Sequence, residues 1–234
     1  MKKLGLIALL FTTYFFSGCK SGSSGSNSLG VSESDAVCVW DNISLKEAPT
    51  ESSKWVSSIS IGEKVTYLEE TKDDTAGKKS ITYYKIKLKD NKTGWVLSDF
   101  VIIGSKPAVV SKDIELYSRP DLLTKTGKMY KAMDIIAVKS EQNDFIEISG
   151  KRQDGKWVET GWIKNNGVSY ADVDIAVAKY ARKAMDIKDV QKRKDAIKEI
   201  VKNPDYSGSI FISTLQTSEP ENTEQTKDSV SGVE

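Results

Sequence analysis

The sequence Thr-Gly-Trp followed by a β-branched residue occurs twice, at Thr93-Gly94-Trp95-Val96 and at Thr160-Gly161-Trp162-Ile163. Each copy closes a similar ordered series of apolar residues. An offset of 71 places Ile43 on Ile114, Leu45 on Leu116, Pro49 on Pro120 and Val65 on Ile136. An offset of 60 then places Ile86 and Leu88 on Ile146 and Ile148, and 67 places Trp95 on Trp162. The changes of offset fall in polar stretches, TKDDTAGKKS in the first copy and KRQDGK in the second. Surface loops are where diverging repeats accept insertions. A duplicated unit of this size leaves room in 234 residues for two small domains and one further segment.

Within each copy the apolar residues alternate over short runs, the period of half-buried strands. Val65, Tyr67, Ile86, Leu88, Val96 and Phe100 are the expected core of the first, and Ile136, Val138, Ile146, Ile148 and Ile163 that of the second. Asp90-Asn91 and Asp154-Gly155 supply turn chemistry between strands. Gly94 and Gly161 stand where a missing side chain suits a bulge or a close backbone approach.

The series Leu45, Pro49, Gly62-Glu63-Lys64-Val65 and Gly94-Trp95-Val96 resembles the bacterial SH3-like domain. The second copy keeps Leu116, Arg119, Pro120, Gly161 and Trp162, with Met133 where the first has Gly62. The resemblance implies a small β-barrel from each copy, with each Thr-Gly-Trp opening a last strand. The expected fold is mainly β: two small SH3-like β-barrels in tandem, 36–104 and 105–170, followed by a C-terminal amphipathic helical segment, 171–203.

That helical segment carries Val173, Val177, Tyr180, Ala184, Ile187, Val190, Ile197 and Val201 at spacings of three, four or seven. Asp186-Ile-Lys-Asp is a candidate break, and Pro204 is a stop. SIFISTL, 209–215, is short, apolar and β-prone, so 204–215 is expected to add a strand. Residues 216–234 are polar and acidic and read as a disordered tail.

Residues 1–19 read as a lipoprotein signal peptide. Lys2 and Lys3 precede an apolar stretch that ends in Ser17-Gly18-Cys19, which resembles a lipobox with Phe16 in place of the usual leucine. The resemblance makes Cys19 the lipidation site, and the Ser/Gly-rich 20–35 a flexible tether. The implied place is the bacterial outer membrane, lipid-anchored at the cell surface or on the periplasmic face. Cys38, in the apolar run AVCVW, is left without an intrachain disulfide partner and is expected as a buried free thiol.

The charges nearly cancel, with 34 basic and 33 acidic residues, so no overall field favours nucleic acid. There is no histidine, which removes the commonest general base and metal ligand. No glycine-rich phosphate loop or metal-spaced ligand set appears, so no cofactor, no metal and no enzyme activity are expected. What remains is binding. Trp55 and Trp157 are the candidate ligand contacts among the aromatic residues, since aromatics offer large area at low entropy cost. The run Lys192-Arg193-Lys194 is a candidate for anionic partners, against the plainer reading of a solvated helix face. Gly94, Trp95, Gly161 and Trp162 read as structural barrel residues.

Size, lipoprotein start, barrel repeat and helical end together loosely resemble the leptospiral endostatin-like surface lipoproteins. That resemblance implies an adhesin for laminin, fibronectin, fibrinogen, plasminogen or factor H. The alternative is a periplasmic module that binds peptidoglycan, the usual ligand of bacterial SH3-like domains.

Overall fold

Short strands with one apolar face have to pair and close on themselves to bury that face, and they do so twice. The computed structural model describes Ser32 and residues 34–217. The expected signal peptide, the lipidation site Cys19, nearly all of the tether and residues 218–234 of the tail lie outside the described residues. The first barrel comprises β1 (Asp35–Cys38), β2 (Ile43–Lys46), β3 (Trp55–Ile59), β4 (Lys64–Asp74), β5 (Ile81–Lys87), β6 (Thr93–Leu97) and β7 (Val101–Ile103), in the antiparallel order β3-β2-β6-β5-β4-β1-β7. The second comprises β8 (Lys106–Val110), β9 (Ile114–Tyr117), β10 (Lys125–Tyr130), β11 (Ile135–Gln142), β12 (Phe145–Gly150), β13 (Glu159–Lys164) and β14 (Val168–Ser169), in the order β10-β9-β13-β12-β11-β8-β14. The second order is the first with seven added to every strand, so the duplication seen in the sequence is a duplication of topology.

Pairing corrects the alignment at one place. Ile86 lies opposite Gly94, and Ile148 lies opposite Gly161. Ile86 therefore corresponds to Ile148 and Tyr84 to Ile146, an offset of 62 rather than 60. A slip of two preserves the face, and Ile86, Ile146 and Ile148 are all fully buried. A second correction concerns Thr-Gly-Trp. It lies in β6 and β13, the strands before the last. A 3-10 turn at Ser98–Phe100, or at Asn165–Gly167, reverses the chain so that β7 and β14 pair with β1 and β8.

The helical segment is α1 (Asp172–Met185) and α2 (Val190–Lys202), broken at Asp186–Asp189 as expected. Asp189 caps α2 by accepting from the Lys192 amide at 2.8 Å. Because the two helices turn separately, the expected single stripe divides. Val177, Ala184 and Ile197 are buried, while Tyr180 and Val190 are exposed. Residues 209–215 add no strand. They form a turn and the start of α3 (Ile212–Thr217). Phe211 and Leu215, four apart, are buried whereas Ile210 is exposed, which is a helical rather than an alternating pattern.

Four apolar clusters result. Each barrel has its own core, around Leu45, Ile86 and Val96 in the first and Leu116, Ile148 and Ile163 in the second. Val37 and Val39 of the first barrel meet Ala137 of the second in a small shared cluster. Ile61 of the first and Val109, Met133 and Ile135 of the second join the helices in the largest. Burying apolar area on three bodies at once fixes their mutual placement, because separation would return that area to water.

Candidate binding site at the junction of barrels and helix

Trp40 leaves β1 in the segment that leads to β2, where Asn42 takes a left-handed turn at φ +57°. Its ring packs against Phe100 at 5.2 Å between centroids, tilted by 51°. From the second barrel Lys151, just after β12, brings its Nζ within 4.5 Å of the Trp40 ring centroid. One aromatic side chain of the first barrel is thus met by a cation of the second, an attractive geometry for the ring quadrupole.

Two concavities open from Trp40. The larger is a groove of about 360 Å³ between the barrels, lined by Trp40, Phe100 and Ile102 on one side and Trp157, Val158 and Thr160 on the other. That size is within the range of small-molecule sites, roughly 300–1,000 Å³. Trp157 stands 76% exposed at its edge. The smaller is a cavity of about 120 Å³ where Trp40, Asp41 and Ile61 face Lys151 and one side of α1. Lys179, Arg182, Lys183 and Asp186 supply that side. They recur at three, four and seven residues, the spacing that aligns side chains along one helix face.

The polar groups of the cavity are unevenly matched. Lys183 Nζ is 3.7 Å from Asp41 Oδ2. Arg182 Nη1 lies 3.5 Å from Asp134 Oδ1 and is buried without a hydrogen-bond acceptor among the described residues. Asp134 is fully buried, and its two oxygens already accept from the Lys131 amide at 2.8 Å and the Gln153 amide at 3.1 Å. Burial pushes its carboxyl above the ordinary value of 3.8 against the pull of those amides and Arg182. Lys179 is half-buried and makes no ion pair or hydrogen bond among the described residues.

Of the residues singled out in the sequence, Trp157 lines the groove. Trp55 is 63% exposed but sits on β3, outside both concavities, with its indole Nε1 donating to Ser58 Oγ at 3.2 Å. Lys192, Arg193 and Lys194 lie on α2, also outside both. Lys192 is exposed, but Arg193 and Lys194 are half-buried, and the Arg193 guanidinium donates to the Ile187 carbonyl at 3.3 Å. The run is therefore only in part a free solvated face.

Trp95 and Trp162 belong to neither barrel core. Trp95 is paired laterally with Lys46 and Lys85, and Lys46 in turn with Trp55, so these four residues form one row on the outer face of the sheet. Lys85 brings its Nζ within 5.8 Å of the Trp95 ring centroid, and Trp95 is only 8% exposed. Trp162 is flanked in the same way by Tyr117 and Glu147.

Cys38 is fully buried and donates its Sγ hydrogen to the Trp40 carbonyl at 3.0 Å. Burial pushes its thiol up to about 12, so it stays protonated near neutrality. Among the described residues no group of three or more acidic or cysteine side chains converges as a metal site would require.

Residues 41–102 match the family described as the bacterial SH3 domain. The match begins beside Trp40 and ends within β7, so it spans nearly all of the first barrel. Among solved structures, NlpC2 from Trichomonas vaginalis is similar at a TM-score of 0.25, 9% identical, covering 72% of this chain and 56% of that one. NlpC1 from the same organism is similar at a TM-score of 0.25, 11% identical, covering 71% of this chain and 58% of that one. The chain thus spans little more than half the length of those proteins, and a likeness so slight carries no argument about function. A search of curated proteins finds no match.

Proposed function

We propose that this chain is a non-enzymatic binding protein of the bacterial cell envelope whose ligand is peptidoglycan. The supporting family match lies in the first barrel, and bacterial SH3 domains commonly bind peptidoglycan. The observation that carries the reading is the aromatic groove between the barrels, because a glycan-peptide polymer needs an open, elongated surface with apolar platforms and polar edges. Lipidation at Cys19, with the Ser/Gly-rich stretch as tether, would hold such a module near the wall from an outer-membrane anchor. The host-adhesin reading and the leptospiral endostatin-like family gain no support from the fold or from the comparisons, so laminin, fibronectin and the plasma proteins become controls rather than expected ligands.

The test is co-sedimentation with purified insoluble peptidoglycan. The parent protein is expected in the pellet. Trp157→Ala should shift it towards the supernatant, and Trp55→Ala should leave it in place. A parent that stays soluble with peptidoglycan yet binds immobilised laminin or fibronectin would overturn the proposal.

A further inference from the structure

The small cavity differs from the groove in being charged, and its charge is not internally satisfied. Lys151, Lys179, Arg182 and Lys183 face two carboxylates, Asp41 and Asp186, and Asp134 behind the wall pairs with Arg182 at 3.5 Å, which leaves one positive charge in excess. Lys183 is paired with Asp41 across the cavity, at 3.7 Å. Lys151 is engaged by a ring rather than an anion. Lys179 makes no ion pair or hydrogen bond among the described residues, while the buried Nη1 of Arg182 is held 3.5 Å from Asp134 Oδ1. Two lysines thus face the cavity without an anion, and their natural complement is a ligand that accepts.

We propose that this cavity binds the free carboxylate of a short peptide whose preceding residues run into the aromatic groove. The volume, about 120 Å³, suits a small terminal group and not a sugar ring with its substituents. The walls decide between anions. Asp41 and Asp186 stand among the cations, so the positive wall is broken by acceptors that a compact monoanion can sit beside. A carboxylate also presents two oxygens, enough to take donors from Lys179 and Lys151 together. Trp40 lines both concavities, so a group seated in the cavity lies beside the groove. In the wall-binding reading, on which the choice of peptide rests, the group is the terminal carboxylate of a peptidoglycan stem peptide.

Trp40 provides the readout, since it borders the cavity. Titrating the full chain with acetyl-lysyl-D-alanyl-D-alanine should change tryptophan fluorescence saturably. The same peptide with a C-terminal amide should bind at least about tenfold more weakly, the loss that follows when a hydrogen bond to a charged group is removed. Lys179→Met should weaken the acid peptide by a similar factor. This variant disturbs no ion pair or hydrogen bond among the described residues and is expected to melt like the parent. Lys151→Met is the second variant, with the same expected loss. Equal affinity for acid and amide, or an unchanged affinity in both lysine variants, would overturn the proposal. So would saturation by inorganic phosphate as readily as by the acid peptide. Failure of the wall reading is separable: a protein that binds the acid peptide with these preferences but does not sediment with peptidoglycan keeps the carboxylate site and loses the polymer ligand.

Discussion

Gly62 and Met133 occupy the same position in the two barrels and share a left-handed backbone, with φ of +77° and +68°. Each lies in the turn that enters its long strand, β4 or β11. A residue with a Cβ costs roughly 1–2 kcal/mol in that conformation, yet Met133 is tolerated because its side chain is buried in the cluster shared with the helices. Gly62 has no such compensation available. A Cβ there would sit 3.1 Å from both Ile135 Cγ2 and Ile175 Cγ2, so the same backbone also sets how closely the first barrel meets the second and α1.

Gly62→Ala should therefore lower stability by about 1–2 kcal/mol, combining the left-handed cost with tight contact. Chemical denaturation should show an earlier midpoint. A midpoint equal to the parent's would mean that the turn relaxes freely and that the junction is looser than described.

Cys38 should be silent towards thiol reagents in the folded protein. Its sulfur is fully buried and burial holds its thiol up to about 12, so near pH 8 almost none is thiolate, the reactive form. With Cys19 replaced by Ser, Ellman's reagent should register no thiol in the native protein and one equivalent in guanidinium. Prompt native reaction would contradict the burial.

The repeat was readable because β-strand periodicity survives loop insertions. Taking Ile86 opposite Ile146 instead of Ile148 still identified the core, since a two-residue slip returns each side chain to the same face. Residues 209–215 misled for a physical reason: a seven-residue run with five apolar or β-branched residues satisfies either period, and only packing of Phe211 and Leu215 on the helices selects the helix. The candidate cavity was half legible. Lys179, Arg182 and Lys183 share a helix face by spacing alone. Lys151 and Trp40 join them only through the way two barrels and α1 meet, which no local pattern encodes.

Stability should fall in acid through carboxylates held by cations. Burial alone would raise Glu159, but hydrogen bonds from Lys128 at 2.8 Å and Arg152 at 3.0 Å outweigh it and hold the carboxyl below 4.5. The Lys131 side chain and the Ala132 amide hold Asp113 below 3.8. A depressed folded value means that this stabilisation is complete above the unfolded value and is lost as pH falls through the folded one. The denaturation midpoint should thus be level down to about pH 5 and decline below it. Glu159→Gln should remove part of the decline, on the order of 0.5–1 kcal/mol for a partly exposed network. An unaltered pH profile in that variant would assign the acid limb to other groups.

The last prediction concerns the two glycines of Thr-Gly-Trp. In each sheet β2 meets β6, or β9 meets β13, through a single register pair: Lys46 with Trp95, and Tyr117 with Trp162. A Cβ on Gly94 would lie 2.6 Å from the Lys46 carbonyl oxygen and 2.8 Å from Leu45 Cγ. On Gly161 it would lie 2.8 Å from the Tyr117 carbonyl oxygen and 2.7 Å from Leu116 Cδ1. The obstructing atoms include backbone, which cannot turn aside as a side chain can, so the seam must open. Gly94→Ala and Gly161→Ala should each cost about 1–3 kcal/mol, the usual range for overpacking, or more. The loss should be local in origin: amide hydrogen exchange should accelerate first in β2 and β6 for the one variant, and in β9 and β13 for the other. If either alanine leaves exchange at its seam unchanged, the two strands are held by some contact other than this approach, and the repeated glycine needs another cause.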